Sequence, residues 1–154
     1  DTERILATAQ GDIQLVKSAL VFLFLQRGTP CIYYGTELEL GGDMDPDCRR
    51  VMPWDRVSSS NDMLNFMKNL IQLRKNVAGI IQHGKFILEE IKPDVLALEW
   101  QHDHQAIRAI FNQSKENYLL DRDSADLVSH CQTDGEKLVI LPKGFVVYCD
   151  ESKR

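Results

Sequence analysis

The sequence predicts an α+β chain in which a helix–strand–loop–helix segment is followed by an antiparallel β-sandwich. Three observations predict it. Apolar residues recur at helical spacing over 13–25 and again over 64–74. A run rich in Gly, Asp and Pro, residues 41–55, separates those two stretches. From residue 85 onward, short apolar runs alternate with turn residues. The 154 residues allow one medium domain, or a partial domain joined to a small one. We place the division between residues 1–78 and 80–154.

In chain order, Asp12 is the expected N-cap of a helix whose apolar positions 13, 15, 16, 19, 20, 22, 23 and 24 cover most of its surface. Such a helix must be buried on more than one side. Gly28 and Pro30 end it. Cys31, Ile32, Tyr33 and Tyr34 read as a short strand closed by Gly35. After the 41–55 loop, Ser58, Ser59, Ser60 and Asn61 lead into a second helix, with Leu64, Met67, Leu70, Ile71 and Arg74 on successive turns. Helix, strand, long loop and helix follow one another as in α/β barrel units, where loops after strands build active sites. Strands are expected at 85–91, 95–101, 106–111, 117–120, 138–141 and 145–149, with turns at 93–94, 102–105, 133–135 and 142–144. Six short strands with such turns suggest a sandwich.

Composition narrows the function. Apolar residues make up 44% of the chain, enough for a real core, and charged residues of both signs make up 27%. The net charge of −5, with no basic cluster longer than Arg49-Arg50, argues against a nucleic-acid partner. The most apolar run, 19–25, is too short to cross a bilayer, and no signal peptide is visible. Cys31, Cys48, Cys131 and Cys149 form no C-x-x-C pair and have no histidine at zinc-ligand spacing. They read as free thiols, which favours a reducing, cytoplasmic setting. Residue 1 is Asp rather than Met, which we read as the mark of a piece cut from a longer chain.

Asp43, Asp45 and Asp47 alternate like a calcium loop, but Cys48 and Trp54 stand where an EF-hand needs Gly and Glu. His83, His102, His104 and His130 are scattered. No metal site and no cofactor are therefore expected.

The most specific stretch is G-T-P-C-I-Y-Y-G-T-E, from Gly28 to Glu37. It resembles the pattern around the eighth barrel strand of the α-amylase family. The run from Gly41 to Trp54, with D-P-D-C-R-R-V-M-P-W beginning at Asp45, is similar to the next loop in the neopullulanase, cyclomaltodextrinase and maltogenic amylase branch. Asp1-Thr2-Glu3-Arg4 is similar to the end of the family's fourth region, and Leu70-Ile71-Gln72-Leu73-Arg74-Lys75 resembles its last barrel helix. The segment from Leu141 to Tyr148 looks like the tail of its sandwich domain. Residues 112–136 carry no recognisable signature.

The resemblance implies the last part of a (β/α)8 barrel followed by a Greek-key sandwich. It implies a parent enzyme that hydrolyses α-1,4 glucosidic bonds, with α-1,6 bonds and glucosyl transfer left open. Retaining glycosidases use a carboxylate nucleophile and a protonated carboxylic acid. The family adds a third carboxylate, and by the resemblance Asp1 holds that place, where a fixed anion steadies positive charge in the transition state. Asp45 and Arg49 would bind glucose units, each able to take two hydroxyls in directional hydrogen bonds. The alternative is a local ion pair that stiffens the loop, and the two roles are compatible. Arg4 would lie near the substrate or pair with a barrel carboxylate. Tyr33, Tyr34 and Glu37 are expected to support the structure, and Trp54 to anchor the loop.

These residues lack the family's nucleophile and acid, so we expect no turnover from this chain alone, and self-association through uncovered apolar surface. The rival reading is a non-catalytic module that binds glucan or stabilises a partner domain. The aromatic residues of the second half stand mostly in strand-core contexts, which does not look like a binding platform.

Overall fold

A computed structural model describes residues 2–121, 126–134 and 137–149. They fall into two compact units. One is built from the residues up to Phe24 together with Thr29–Gln72. The other is built from Leu25–Gly28 and the residues from Leu73 on.

The first unit opens with a single helical turn, α1 (Ile5–Thr8). It closes through left-handed Gln10: the Gly11 N–H returns to the Leu6 carbonyl and the Gln10 N–H to that of Ala7. The expected helix follows as α2 (Ile13–Phe24). Its cap is Asp12, whose Oδ1 accepts from the N–H groups of Gln14 and Leu15, both at 3.0 Å. Val16, Leu20, Val21 and Phe24 are buried, while Phe22 and Leu23 are exposed.

No strand forms at 31–34. A strand is defined by a neighbour that takes its N–H and C=O groups, and no described residue forms a ladder with this segment. The 41–55 run is a loop as expected, punctuated by one-turn 3-10 helices at Asp47–Arg49 and, at its end, Trp54–Arg56. Gly42 is required in it. A Cβ there would lie 2.5 Å from the Asp47 carbonyl oxygen and 2.9 Å from the Cys48 Cα. The second long helix, α3 (Asp62–Asn76), is capped by Asn61, whose Oδ1 accepts the Leu64 N–H at 2.8 Å. Met67 and Leu70 are buried as expected, Met63 and Leu73 join them, and Ile71 faces solvent instead.

The second unit begins with Leu25–Gly28, held by Arg74. The Arg74 guanidinium donates to the carbonyls of Gln26 at 3.0 Å and Gly28 at 2.6 Å. Burial lowers its proton affinity below the usual arginine range. A short helix absent from the sequence reading, α4 (Ala78–His83), leads into eight strands. These are β1 (Lys85–Lys92), β2 (Val95–His102), β3 (Gln105–Asn112), β4 (Tyr118–Asp121), β5 (Asp126–Ser129), β6 (Cys131–Asp134), β7 (Lys137–Ile140) and β8 (Phe145–Cys149).

They form two antiparallel sheets, in the orders β1-β2-β3-β8-β5 and β4-β7-β6. The β1–β2 and β2–β3 turns use left-handed Asp94 and Asp103, as the turn signals at 93–94 and 102–105 foretold. Ala97 pairs with Ile110 and Ile110 with Val146, so the inward rows of neighbouring strands align. One core joins both sheets: Val95, Ala97, Ile110, Val146 and Tyr148 pack with Leu138 and Ile140. This is the sandwich the turn-punctuated strands predicted.

Two strands were not foreseen. β5 and β6 are edge strands, and β6 is largely solvent-facing, so neither shows the apolar alternation that betrays a strand in sequence. Thr133 and Asp134, expected in a turn, pair with Leu138 and Lys137 instead.

Beneath the sheet, the Trp100 indole N–H donates to the Leu25 carbonyl at 2.7 Å, and the Arg27 guanidinium sits 5.1 Å from the ring centre. At the far end of β3, the wholly buried Asn112 amide reaches three carbonyls, those of Glu116, Ile140 and Leu141, at 2.8, 2.9 and 3.2 Å. No helix among the described residues is long and apolar enough to cross a membrane.

Candidate functional site

The singled-out side chains gather in the first unit, around the loop that Gly42 lets fold tightly on itself. Asp45 and Arg49 are four residues apart, across a cis Asp45–Pro46 peptide and the 3-10 turn that begins at Asp47. That turn sets the two side chains together. The Arg49 Nε donates to the Asp45 Oδ1 at 2.6 Å, and both side chains are about half exposed. The carboxylate holds the guanidinium proton more tightly than usual. An exposed pair of this kind, screened by solvent, contributes little to folding. Both groups stay accessible to solvent.

A second pair was not singled out in the sequence. Arg50 donates through Nε and Nη2 to the two oxygens of Asp47, at 2.8 and 2.7 Å, and the Asp47 Oδ2 also accepts the Asp43 N–H at 2.8 Å. These bonds, chiefly the one from Arg50, pull the Asp47 carboxyl below its usual range. The Arg50 carbonyl accepts the Tyr34 hydroxyl at 2.8 Å. The signal for this pair was available in the i, i+3 spacing of Asp47 and Arg50 on a helical turn.

Arg4 lies deeper, 5% exposed. Its Nε donates to the Cys48 carbonyl and its Nη1 to the Tyr34 carbonyl, both at 2.6 Å. Its backbone N–H donates to the Gly42 carbonyl at 2.9 Å. The guanidinium carbon is 4.6 Å from the ring centres of both Tyr33 and Tyr34. The two rings meet edge to face, 4.7 Å apart. Tyr33 is nonetheless 54% exposed, and Trp54, expected to anchor the loop, is 71% exposed and anchors nothing by burial. The Trp54 segment is held instead by Arg56, which donates to the Leu38 and Glu39 carbonyls.

A cavity of about 490 Å3 opens beside these groups, lined among others by Arg4, Leu20, Leu23, Ile32, Tyr33 and Arg49. It is of the size that takes a small organic ligand. Its wall is part apolar and part cationic, with an aromatic ring. Arg4, Arg49 and the acidic Glu3 all line it, and Asp45, which does not, is hydrogen-bonded to Arg49. Asp1 lies outside the described residues. Among the described residues no three His, Cys, Asp or Glu side chains come together as metal ligands. None of the four cysteines is joined in a disulfide.

No family model matches the chain. Over 115 residues it is 39% identical to the intracellular maltogenic amylase of Bacillus subtilis, an alignment covering 73% of this chain and 20% of that protein. Over 121 residues it is 36% identical to a cyclomaltodextrinase of a Bacillus species, covering 78% and 22%. Among solved structures, the maltogenic amylase from S. marinus superposes with a TM-score of 0.79 at 29% identity, over 96% of this chain and 21% of that one. The chain thus spans about a fifth of the length of the relatives it matches.

Proposed function

Because the chain belongs to the α-amylase family, in the branch of the maltogenic amylases, cyclomaltodextrinases and neopullulanases, we propose that it is the closing portion of a retaining α-glucan hydrolase and presents a glucose-binding loop. In this reading, residues up to about 78 complete a (β/α)8 barrel and residues 80–154 form the sandwich that follows it. The parent enzyme cleaves α-1,4 glucosidic bonds in maltooligosaccharides, cyclodextrins or pullulan, with α-1,6 bonds left open. Asp1 is the carboxylate that steadies the oxocarbenium-like transition state. The four cysteines, none of them in a disulfide, and the word intracellular in the name of the Bacillus subtilis relative, support a cytoplasmic setting.

The observation that carries the reading is the Asp45–Arg49 pair, whose Arg49 lines the cavity. A carboxylate and a guanidinium already joined at 2.6 Å form a fixed acceptor–donor couple, which vicinal sugar hydroxyls can bridge without reorganisation. The groups are exposed, so the sugar meets them without a desolvation penalty of the buried kind. The test is steady-state kinetics on the whole enzyme that contains these residues, with a maltooligosaccharide as substrate. Asp45→Ala is expected to raise KM about tenfold with kcat changed far less, the pattern of lost ground-state binding. An unchanged KM would sink the assignment.

A further inference from the structure

We propose that Arg4 is a positioning residue, one that acts on substrate through the loop bearing Asp45 and Arg49. The proposal rests on the glucose-binding reading of that loop. Three parts of the chain that are distant in sequence meet on this one side chain and its own backbone. The Nε holds the Cys48 carbonyl, in the turn between Asp45 and Arg49. The Nη1 holds the Tyr34 carbonyl. The backbone N–H holds the Gly42 carbonyl, where the loop starts. Tyr33 and Tyr34 pack on the guanidinium.

A planar fork with donors at fixed angles sets the distance between two carbonyls, which a single ammonium on a flexible stem cannot do. At 5% exposure, with two nitrogens bonded to main chain, Arg4 has little surface left for a sugar. Its remaining nitrogen, Nη2, is buried without a hydrogen-bond partner. That arrangement persists only where the other bonds hold the guanidinium firmly.

Two readouts in the whole enzyme test this. Cys48 is buried in the pinned turn, so peptide-resolved alkylation of its thiol reports loop opening. Arg4→Lys and Arg4→Met are each expected to speed Cys48 alkylation at least tenfold and to raise KM with a smaller effect on kcat. Because Lys keeps the charge and loses the fork, it is not expected to rescue. In an Asp45→Ala background, Arg4→Lys is expected to raise KM no further, since both changes disable one element. Tyr33→Leu removes one packing ring and leaves the fork, and it gives a milder version of the same shift should either Arg4 variant fail to fold.

Wild-type alkylation and KM in Arg4→Lys would overturn the proposal. So would an Arg4 effect that adds fully to Asp45→Ala with Cys48 still protected, because that is the signature of direct sugar contact. If Asp45→Ala leaves KM unchanged while Arg4→Lys exposes Cys48, the pinning stands and the glucose assignment of the loop falls.

Discussion

One methyl group at Gly42 would press on the Asp47 carbonyl oxygen from 2.5 Å, inside the turn that carries Asp45 and Arg49. Neither contact atom is a side-chain end that can swing away. We therefore expect Gly42→Ala to cost about 1–3 kcal/mol through forced backbone shifts, seen as a lower denaturation midpoint. It is also expected to weaken glucan binding, because the strained turn is the one that sets the pair. Asp47 adds a pH signature. Its carboxyl is depressed in the folded loop by Arg50 and the Asp43 N–H. The stabilisation is thus present above the unfolded carboxyl value and is lost as pH falls through the lower folded value. We expect the loop to hold at neutral pH and to loosen only below the ordinary carboxylate range, read by amide hydrogen exchange of the Asp43 N–H across that range. The stabilisation is expected to weaken modestly with salt, since the pair is exposed. At this scale the sequence was half informative. The D-P-D-C-R spacing brought Asp45 and Arg49 to notice, because four residues across a turn bring side chains together. The burial of Arg4 was invisible, because its partners are carbonyls at Tyr34 and Cys48, which any residue could have supplied.

Elements were legible where local chemistry dictates them. Asp12 and Asn61 begin α2 and α3 with side-chain caps. Asn61→Ala is expected to lower stability by about 1 kcal/mol in denaturant titration, as the loss of one cap does. Ile110 lies in β3 between β2 and β8 and belongs to the core that joins both sheets. Ile110→Ala is expected to cost about 2–5 kcal/mol, read in the same titration. The reading failed where a local pattern admits two solutions or none. In α3 the expected Leu64, Met67, Leu70 and Ile71 share Met67 and Leu70 with the buried stripe, and only packing chooses Met63 and Leu73 over Ile71 for the rest of it. At 31–34 the apolar run is strand-like, but a strand is a property of a pair, and no described neighbour supplies the ladder. β5 and β6 pair through main chain at sheet edges, so their side chains carry little of the signal.

For the whole molecule, the sum of the parts is a family portion with two compact units, a net charge of −5 and several exposed apolar side chains in the first unit. Phe22, Leu23, Tyr33, Val51 and Trp54 are among them. We expect the isolated 154-residue chain to self-associate, with light scattering giving a mass above the 17.6 kDa of one copy. A clean monomer that binds no apolar dye would refute this. We also expect it to release no reducing sugar from pullulan or cyclodextrin, and measurable release would refute that reading. The order of helices and strands, and the family, were legible because they are written in long patterns spread over the chain. The site was legible only in part, because it depends on which carbonyls a fold happens to bring within reach of one guanidinium. Asn112 shows where that leaves the protein over time. Its amide is sealed from water, and the following N–H, on Gln113, is engaged by the Asp94 carbonyl at 2.7 Å. Spontaneous loss of ammonia from an asparagine needs that neighbouring nitrogen to attack the side chain. The folded sandwich therefore shields Asn112 from chemical ageing. An aspartate at 112 would set an acceptor against three carbonyl oxygens where the amide now donates, so a copy that ages while unfolded would regain the native sheet at a cost in stability.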